Sequence, residues 1–162
     1  MRRTIRAALA ALTLTIVVAG PALAAKPIVQ RMEESGTFTI QCETVTLVEE
    51  YSQSVVVTTW LDADGDRTRA HAHVRYDGTI TAPGSTLSVS EAGRFTSFID
   101  FGPEGRTVRQ IGLVYKFSAP DLGVVAHEVG SLTVFPDRTF EVKGPHDVFD
   151  NGVEALICPL FE

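Results

Sequence analysis

The chain of 162 residues lacks the motifs on which several common chemistries depend. It has two cysteines, and they do not form a Cys-x-x-Cys pair, which argues against a thiol redox centre. It also has no Gly-x-Ser-x-Gly elbow, no phosphate-binding glycine loop and no dinucleotide-binding fingerprint. The excess of acidic over basic residues, 20 against 14, argues against nucleic acid as a partner. We therefore expect neither a cofactor nor a nucleic-acid partner.

The first 24 residues have the pattern of a secretory signal peptide. Arg2, Arg3 and Arg6 precede an apolar stretch over residues 7–20, and Ala-Leu-Ala at residues 22–24 fits the small-x-small cleavage rule. Cleavage would remove three arginines and no acidic residue, which changes the formal net charge from −6 to −9. An uncleaved membrane anchor is the alternative. No later segment is apolar enough to span a bilayer, so we expect a secreted, extracellular protein with no membrane contact after cleavage.

The two cysteines, Cys42 and Cys158, are expected to form a disulfide bond after export. Two cysteines in an oxidising compartment most simply pair with each other. A crosslink that closes so long a loop stabilises the folded state by about 4 to 5 kcal/mol in the chain-entropy model. Two free buried thiols or an intermolecular bridge are the alternatives.

Short runs of β-branched and aromatic residues, separated by turn residues, dominate the chain after residue 35. They predict strands at Thr37–Cys42, Thr44–Glu49, Ser54–Leu61, Arg67–Tyr76, Thr86–Ser90, Arg94–Phe101, Thr107–Phe117, Val124–Phe135, Thr139–Val142 and Glu154–Cys158. Gly112 and Gly130 lie inside predicted strands, where glycine usually marks a bulge or a tight bend. Short links between successive strands indicate antiparallel meanders. We therefore predict one all-β domain over residues 36–162, an antiparallel β-barrel of about eight to ten short strands after an N-terminal arm at residues 25–35. A β-sandwich is the alternative.

The strand predicted at Arg67–Tyr76 carries an unexpected pattern for an acidic protein. Side chains alternate between the two faces of a strand, so Arg67, Arg69, His71, His73 and Arg75 share one face. Such a row can be the solvated face of an antiparallel strand, with acidic partners on the neighbouring strands. It can also hold an anionic ligand, such as a carboxylate or phosphate, through charge-assisted hydrogen bonds from arginine.

His71 and His73 also admit a metal-binding interpretation. The spacing of residues 65–84 resembles the first cupin motif, with Asp77 where glutamate is usual. The segment from residue 130 begins like the second cupin motif, but Arg138 stands where glycine is expected and the required histidine is missing. Three arginines on the same strand face would oppose a divalent cation, so we expect no bound metal.

His146, in the irregular stretch Gly144–Asp147, is the remaining candidate ligand-binding residue. Exposed polar residues in loops are frequent functional residues, and this loop is expected to cap the mouth of the predicted barrel. An apolar-lined barrel interior can hold a small hydrophobic ligand, although a filled core has the same sequence pattern.

From Cys42 onwards the chain resembles uncharacterised small secreted proteins of high-GC Gram-positive bacteria. The segments that carry the resemblance are the cysteine in Thr37–Cys42, Asp77–Thr81, Ala92–Thr96, Gly112–Tyr115, Leu122–Val125, Gly144–Asp147 and Leu156–Cys158. The resemblance implies a bacterial protein with a signal peptide and a β domain that has a terminal cysteine pair, and it implies no catalytic residues. The rhythm of the strands is also distantly similar to the eight-stranded barrel of the allene oxide cyclase and dirigent group.

The sequence therefore predicts a secreted binding or interaction module without covalent chemistry. Its ligand is small or anionic, and its partner, a small molecule or a protein, is unknown. A cupin-like metal-binding protein that uses His71 and His73 is one alternative. A cofactor-free barrel enzyme of the cyclase type is the other.

Overall fold

The computed structural model describes residues 26–162, and the predicted signal peptide at residues 1–24 lies outside this part of the chain. The strands are β1 (Ile28–Gln41), β2 (Thr46–Leu61), β3 (Arg67–Thr81), β4 (Ser88–Gly102), β5 (Gly105–Ala119), β6 (Gly123–Val134) and β7 (Phe140–Lys143). The helices are α1 (Asp147–Asn151) and α2 (Val153–Ile157), followed by a 3₁₀ turn at Cys158–Leu160. Because β1 begins at Ile28, most of the segment interpreted as an N-terminal arm belongs to the first strand.

The strands form a single antiparallel sheet in the order of the sequence, from β1 to β7. The prediction of an all-β antiparallel meander is therefore confirmed. Across residues 26–162 no pairing joins β1 to β7, so the sheet is not closed there and the predicted barrel is not shown. The ten predicted strands become seven because β2 and β4 each join two of them and the last predicted strand is helical.

The alternation of side chains gives the sheet two unlike faces. The core face carries Ile80, Val89 and Phe117, whose side chains are at most 1% exposed. The opposite face carries Arg69 and Arg75 of β3, and we call it the arginine face. The cross-strand register aligns each face over many strands, since Ile80 lies directly opposite Val89.

A bulge at Val114 decides which residues of β5 reach the core face. Leu113 pairs with Val129 and Tyr115 pairs with Glu128, so Val114 is an extra residue in the ladder. An extra residue shifts the alternation of the strand by one position. Tyr115 and Phe117 therefore point to the core face, whereas the alternation of the first half of β5 would have turned them away.

Gly112 and Gly130 lie opposite each other in β5 and β6, with φ angles of 127° and 135°. A Cβ at Gly112 would lie 2.7 Å from the carbonyl oxygen of Arg94, and one at Gly130 would overlap the carbonyl oxygen of Lys143. Backbone of this kind is open essentially to glycine alone. Neither glycine lies at a register shift, so no bulge occurs at these two positions, and the requirement for glycine comes from the positive φ and the close approach of neighbouring backbone.

The C-terminal segment covers one end of the core face. Ile157 of α2 is fully buried and packs with Leu47 and Ile40 in the main hydrophobic cluster. Cys158 follows it and is bonded to Cys42, just after β1, which confirms the predicted disulfide. The last predicted strand is wrong, because its residues form α2, where a helix places Ile157 against the sheet. None of the helices within residues 26–162 is long and apolar enough to cross a membrane.

Candidate functional site

The row of basic residues predicted on β3 lies near the middle of the sheet. Arg69, His71, His73 and Arg75 point to the arginine face, and Arg67 begins the strand beside a register shift against β2. Arg69, His73 and Arg75 are exposed, and His71 is half-buried. The structure therefore places these residues together on one face, as the alternation of the sequence predicts.

Three arginines from other strands extend this row. Arg94 of β4 lies directly opposite Arg75, and the register also places Arg109 of β5 and Arg31 of β1 on the arginine face. The sequence analysis missed all three because it assigned no register between strands. The sequence shows only the position of each arginine within a predicted strand or arm. That position does not determine which face of the sheet the side chain occupies.

Aromatic rings lie between the arginines. His71 packs edge-on against Trp60 on one side and Phe98 on the other, and the ring centroids are 4.7 Å apart in both pairs. The guanidinium carbon of Arg69 lies 4.4 Å from the centroid of the Trp60 ring, and that of Arg109 lies 5.3 Å from the Phe98 ring. Such cation–π contacts orient a guanidinium group and leave its N–H groups free to donate to an anion.

The arginines on this face lack acidic partners. Throughout residues 26–162 the only ion pairs within 4.0 Å involve histidine, and no arginine contacts a carboxylate at that distance. Arg75 and Arg94 even lie directly opposite each other, and like charges at such positions destabilise a sheet. Acids do share this face, since Asp100 lies directly opposite Arg69 and Asp77 lies two positions after Arg75, but no acid in the described part of the chain reaches an arginine within 4.0 Å. At that distance the guanidinium groups are unpaired, so they are available to an anionic ligand.

His71 and His73 do not gain a third metal ligand from the fold. His71 is held between two aromatic rings, and Nδ1 of His73 lies 2.9 Å from Oγ1 of Thr96. In the part of the chain that the structure describes, no three His, Cys, Asp or Glu side chains are grouped closely enough to hold a metal ion. The geometry therefore does not favour the cupin-like alternative.

His146 is buried, with 2% of its surface exposed, so its expected position as an exposed loop residue is wrong. The chain after β7 continues along the edge of β6, where the N–H of Val129 donates to the carbonyl oxygen of Pro145 at 2.9 Å. Nε2 of His146 lies 3.3 Å from the carbonyl oxygen of Lys143. Its Nδ1 has no hydrogen-bond partner and lies 3.7 Å from Oε1 of Glu128.

A pair of buried carboxyl groups on the core face was missed by the sequence analysis. Glu49 and Glu91 are 7% and 5% exposed. They meet over Gly78, where a Cβ would lie 2.8 Å from Oε1 of Glu49 and 3.5 Å from Cβ of Glu91. The hydroxyl of Tyr76 donates a hydrogen bond to the same Oε1. Burial, a hydrogen bond with Glu49 and the charge of Glu49 raise the pKa of Glu91 to about 9, so the pair retains one proton at neutral pH.

Tyr115 and Glu128 extend this pair towards α1. Glu128 is 5% exposed, and its Oε2 accepts a hydrogen bond of 2.9 Å from the N–H of Phe149. The ring of Tyr115 packs edge-on against that of Tyr76, with centroids 6.4 Å apart. Burial, followed by the charges of the nearby carboxylates, raises the pKa of Tyr115. We call these groups, together with Glu49 and Glu91, the carboxylate cluster.

Each of the three acids in this cluster follows a buried apolar residue two positions earlier on the same strand face. The pairs are Leu47 with Glu49, Val89 with Glu91 and Ala126 with Glu128. An acid in the apolar half of an alternating strand is unusual, because carboxylates are seldom buried without partners. That pattern is the signal in the sequence that would have found them.

Two groups of side chains on opposite faces of the sheet are therefore candidates for function, the arginine face and the carboxylate cluster. The resemblances to small secreted bacterial proteins and to the cyclase barrel remain predictions. Comparison with protein-family models, curated proteins and solved structures finds no match to this chain.

Proposed function

We propose that this protein is a secreted binding module that holds an anionic ligand on its arginine face. The observation that carries the proposal is a set of five arginines on one face with no ion-pair partner in the described residues. These are Arg31, Arg69, Arg75, Arg94 and Arg109. Arg75 and Arg94 lie directly opposite each other, which is unfavourable for the sheet, and a bound anion would offset this repulsion.

Export is part of the same proposal. The N-terminal pattern of basic residues, apolar stretch and small-x-small site supports it. The disulfide between Cys42 and Cys158 is compatible with an oxidising compartment. A protein outside the cell meets carboxylate-bearing and phosphate-bearing molecules directly, without competition from intracellular nucleotides.

The distribution of the arginines indicates what kind of anion would fit. They extend from β1 to β5, which spans roughly 19 Å at about 4.8 Å per strand. A ligand that contacts several of them must carry more than one carboxylate or phosphate group. Each guanidinium can donate two parallel hydrogen bonds to such a group, and the rings of Trp60 and Phe98 offer flat apolar surface between them.

Calorimetric titration with two probes tests the proposal. Tripolyphosphate represents phosphate ligands and a short oligogalacturonate represents carboxylate ligands. We expect at least one to bind at low salt and to weaken as salt is added. The double variant Arg75→Gln/Arg94→Gln should bind at least about tenfold more weakly, since a hydrogen bond to a charged group is worth about 1.5 to 3 kcal/mol.

The matched control is Lys26→Gln, which removes one exposed positive charge before β1, outside the strands that carry the arginine face. It should bind the probe as the unmodified protein does. An equal loss of probe affinity in this control would mean that the net charge of the protein determines binding, and not the arginine face. That result, or no binding of either probe, would contradict the proposed function.

A second candidate function is proton-transfer catalysis without a cofactor. It is favoured by the paired carboxyl groups of Glu49 and Glu91, because one protonated and one ionised carboxyl provide a general acid and a general base together. Beyond Tyr76 the core face is only half-buried, at Val74 and Phe95, and this opening would give a substrate access to the pair. Native mass spectrometry of protein purified from its own culture medium would identify a retained molecule. Incubation in D₂O should then introduce deuterium into that molecule with the unmodified protein and not with Glu91→Gln, and equal labelling in both would refute this function.

A further inference from the structure

A cavity of about 370 Å³ lies on the core face, at the end of the sheet away from the disulfide. Its apolar wall is formed by Val108 of β5, Leu132 and Val134 of β6, and Phe135 in the turn that follows. Val108 and Val134 lie directly opposite each other in the ladder, so their side chains form one continuous surface. The volume falls within the range of about 300 to 1,000 Å³ that is usual for small-molecule sites.

Two arginines stand at the turn end of this cavity. Arg106 lies opposite Phe101, which places it on the core face, and Arg138 comes from the turn between β6 and β7. Arg138 has a φ of 68°, in the left-handed region that is unfavourable for a residue with a Cβ. The turn holds it there, because its N–H donates to the carbonyl oxygen of Phe135 at 3.0 Å. Glycine or asparagine would fit this position with less strain, so it is the side chain of Arg138 that requires an explanation.

The nearest acid does not neutralise Arg138. Oδ1 of Asp137 accepts hydrogen bonds from the N–H and the hydroxyl of Thr139, at 2.9 and 2.6 Å, and these bonds lower the pKa of Asp137. Among residues 26–162, no carboxylate lies within 4.0 Å of the guanidinium of Arg106 or of Arg138. A cavity with a largely apolar wall, interrupted by Gln110 opposite Leu132, thus ends at two cations without an ion-pair partner in the described residues.

We propose that this cavity binds a free fatty acid. The carboxylate would lie between Arg106 and Arg138, where charge-assisted hydrogen bonds satisfy both guanidinium groups. The alkyl chain would lie along Val108, Leu132 and Val134 and remove their apolar surface from water. This cavity lies on the opposite side of the sheet from the arginine face, so the proposal of a fatty-acid site does not depend on the proposed function.

Calorimetric titration with octanoate, decanoate and dodecanoate below their micellar concentrations tests the charge and the tail separately. Affinity should rise about two- to fourfold for each added methylene until the cavity is filled. Dodecylammonium has the same tail and the opposite charge, and it should bind at least about tenfold more weakly than dodecanoate.

The variant Arg138→Gly separates binding from folding. It removes the strained Cβ and should raise the Tm, because glycine adopts positive φ freely. It should also weaken dodecanoate binding at least about tenfold. The control Lys116→Gln, which removes a positive charge elsewhere on β5, should bind dodecanoate unchanged.

Three results of these titrations would overturn the proposal. They are an affinity that does not depend on chain length, equal binding of dodecylammonium and dodecanoate, and full affinity in Arg138→Gly. Binding to phosphatidylglycerol vesicles without binding of monomeric dodecanoate would also overturn it, since the occupant would then be a membrane surface and not a free fatty acid.

Discussion

The carboxyl pair of Glu49 and Glu91 makes the stability of this protein depend on pH in a predictable direction. The pKa of Glu91 is raised from 4.5 to about 9, first by burial and then by its hydrogen bond with Glu49 and the charge of Glu49. Between these two pH values the folded protein keeps a proton that the unfolded chain releases. The free energy of unfolding must therefore fall as the pH rises through this window.

The size of this change in the free energy of unfolding follows from the one proton by which the folded and unfolded states differ. Retention of one proton in the folded state alone changes the free energy of unfolding by about 1.4 kcal/mol per pH unit. Between pH 6 and pH 8 the loss is thus about 3 kcal/mol, which lowers the Tm of a domain of this size by roughly 6 to 12 °C. Burial also raises the pKa of Tyr76, with its hydrogen bond to Glu49 as the next cause, so a further loss should follow when the unfolded chain ionises its tyrosines near pH 10.

Glu91→Gln is the decisive variant. The amide has the shape of the carboxylic acid and can donate a hydrogen bond to Glu49, but it carries no titrating proton. Thermal unfolding at constant ionic strength from pH 5 to pH 9 should show a falling Tm for the unmodified protein and a nearly flat Tm between pH 6 and pH 8 for Glu91→Gln. The control Glu50→Gln changes an exposed neighbour and should keep the slope. A flat or rising Tm in the unmodified protein, or an unchanged slope in Glu91→Gln, would refute the reasoning.

Three further predictions concern the disulfide, the arginine face and the glycine in β6. Replacement of both Cys42 and Cys158 by serine should lower the free energy of unfolding in urea by about 4 to 5 kcal/mol, and a loss below about 1 kcal/mol would contradict the assumed loop-closure effect. Arg94→Gln removes a like charge opposite β3, so the Tm should rise slightly at low salt, and this gain should disappear at high salt. Gly130→Ala should cost at least about 3 kcal/mol in the same urea assay, whereas Gly84→Ala, with open space around it, should cost about 1 kcal/mol. Similar losses in these two glycine variants would show that the close approach in β6 does not matter.

The local chemistry of the sequence was sufficient to predict the all-β class, the meander and the disulfide. It could not predict closure, since an open sheet and a barrel have the same alternation within each strand and differ only at β1 and β7. It also divided β2 and β4 in two, because polar residues and Gly93 interrupt the apolar pattern without interrupting the hydrogen-bonded ladder. The ladder depends on backbone groups, which the side-chain pattern does not report.

The candidate sites show the same limit. The row from Arg69 to Arg75 was predictable because it lies within one strand, where alternation alone sets the face. The contribution of Arg94 to the arginine face was not predictable, because its position opposite Arg75 depends on the register between β3 and β4. The position of Tyr115 on the core face was not predictable either, because it depends on the bulge at Val114, which reverses the alternation of β5.

The position of the C-terminal cap in the sequence has a consequence for the order of folding. The strands lie in space in the order in which they are synthesised, so β1 to β6 can assemble as successive hairpins while the chain grows. The segment that covers Ile80 and Phe117 comes after all of them, and so does Cys158. The bond between Cys42 and Cys158 can therefore form only after every strand has been made, and docking of the cap is what holds the two cysteines side by side. The oxidation state of this one pair would thus report, in a growing or translocating chain, whether folding has reached its last step.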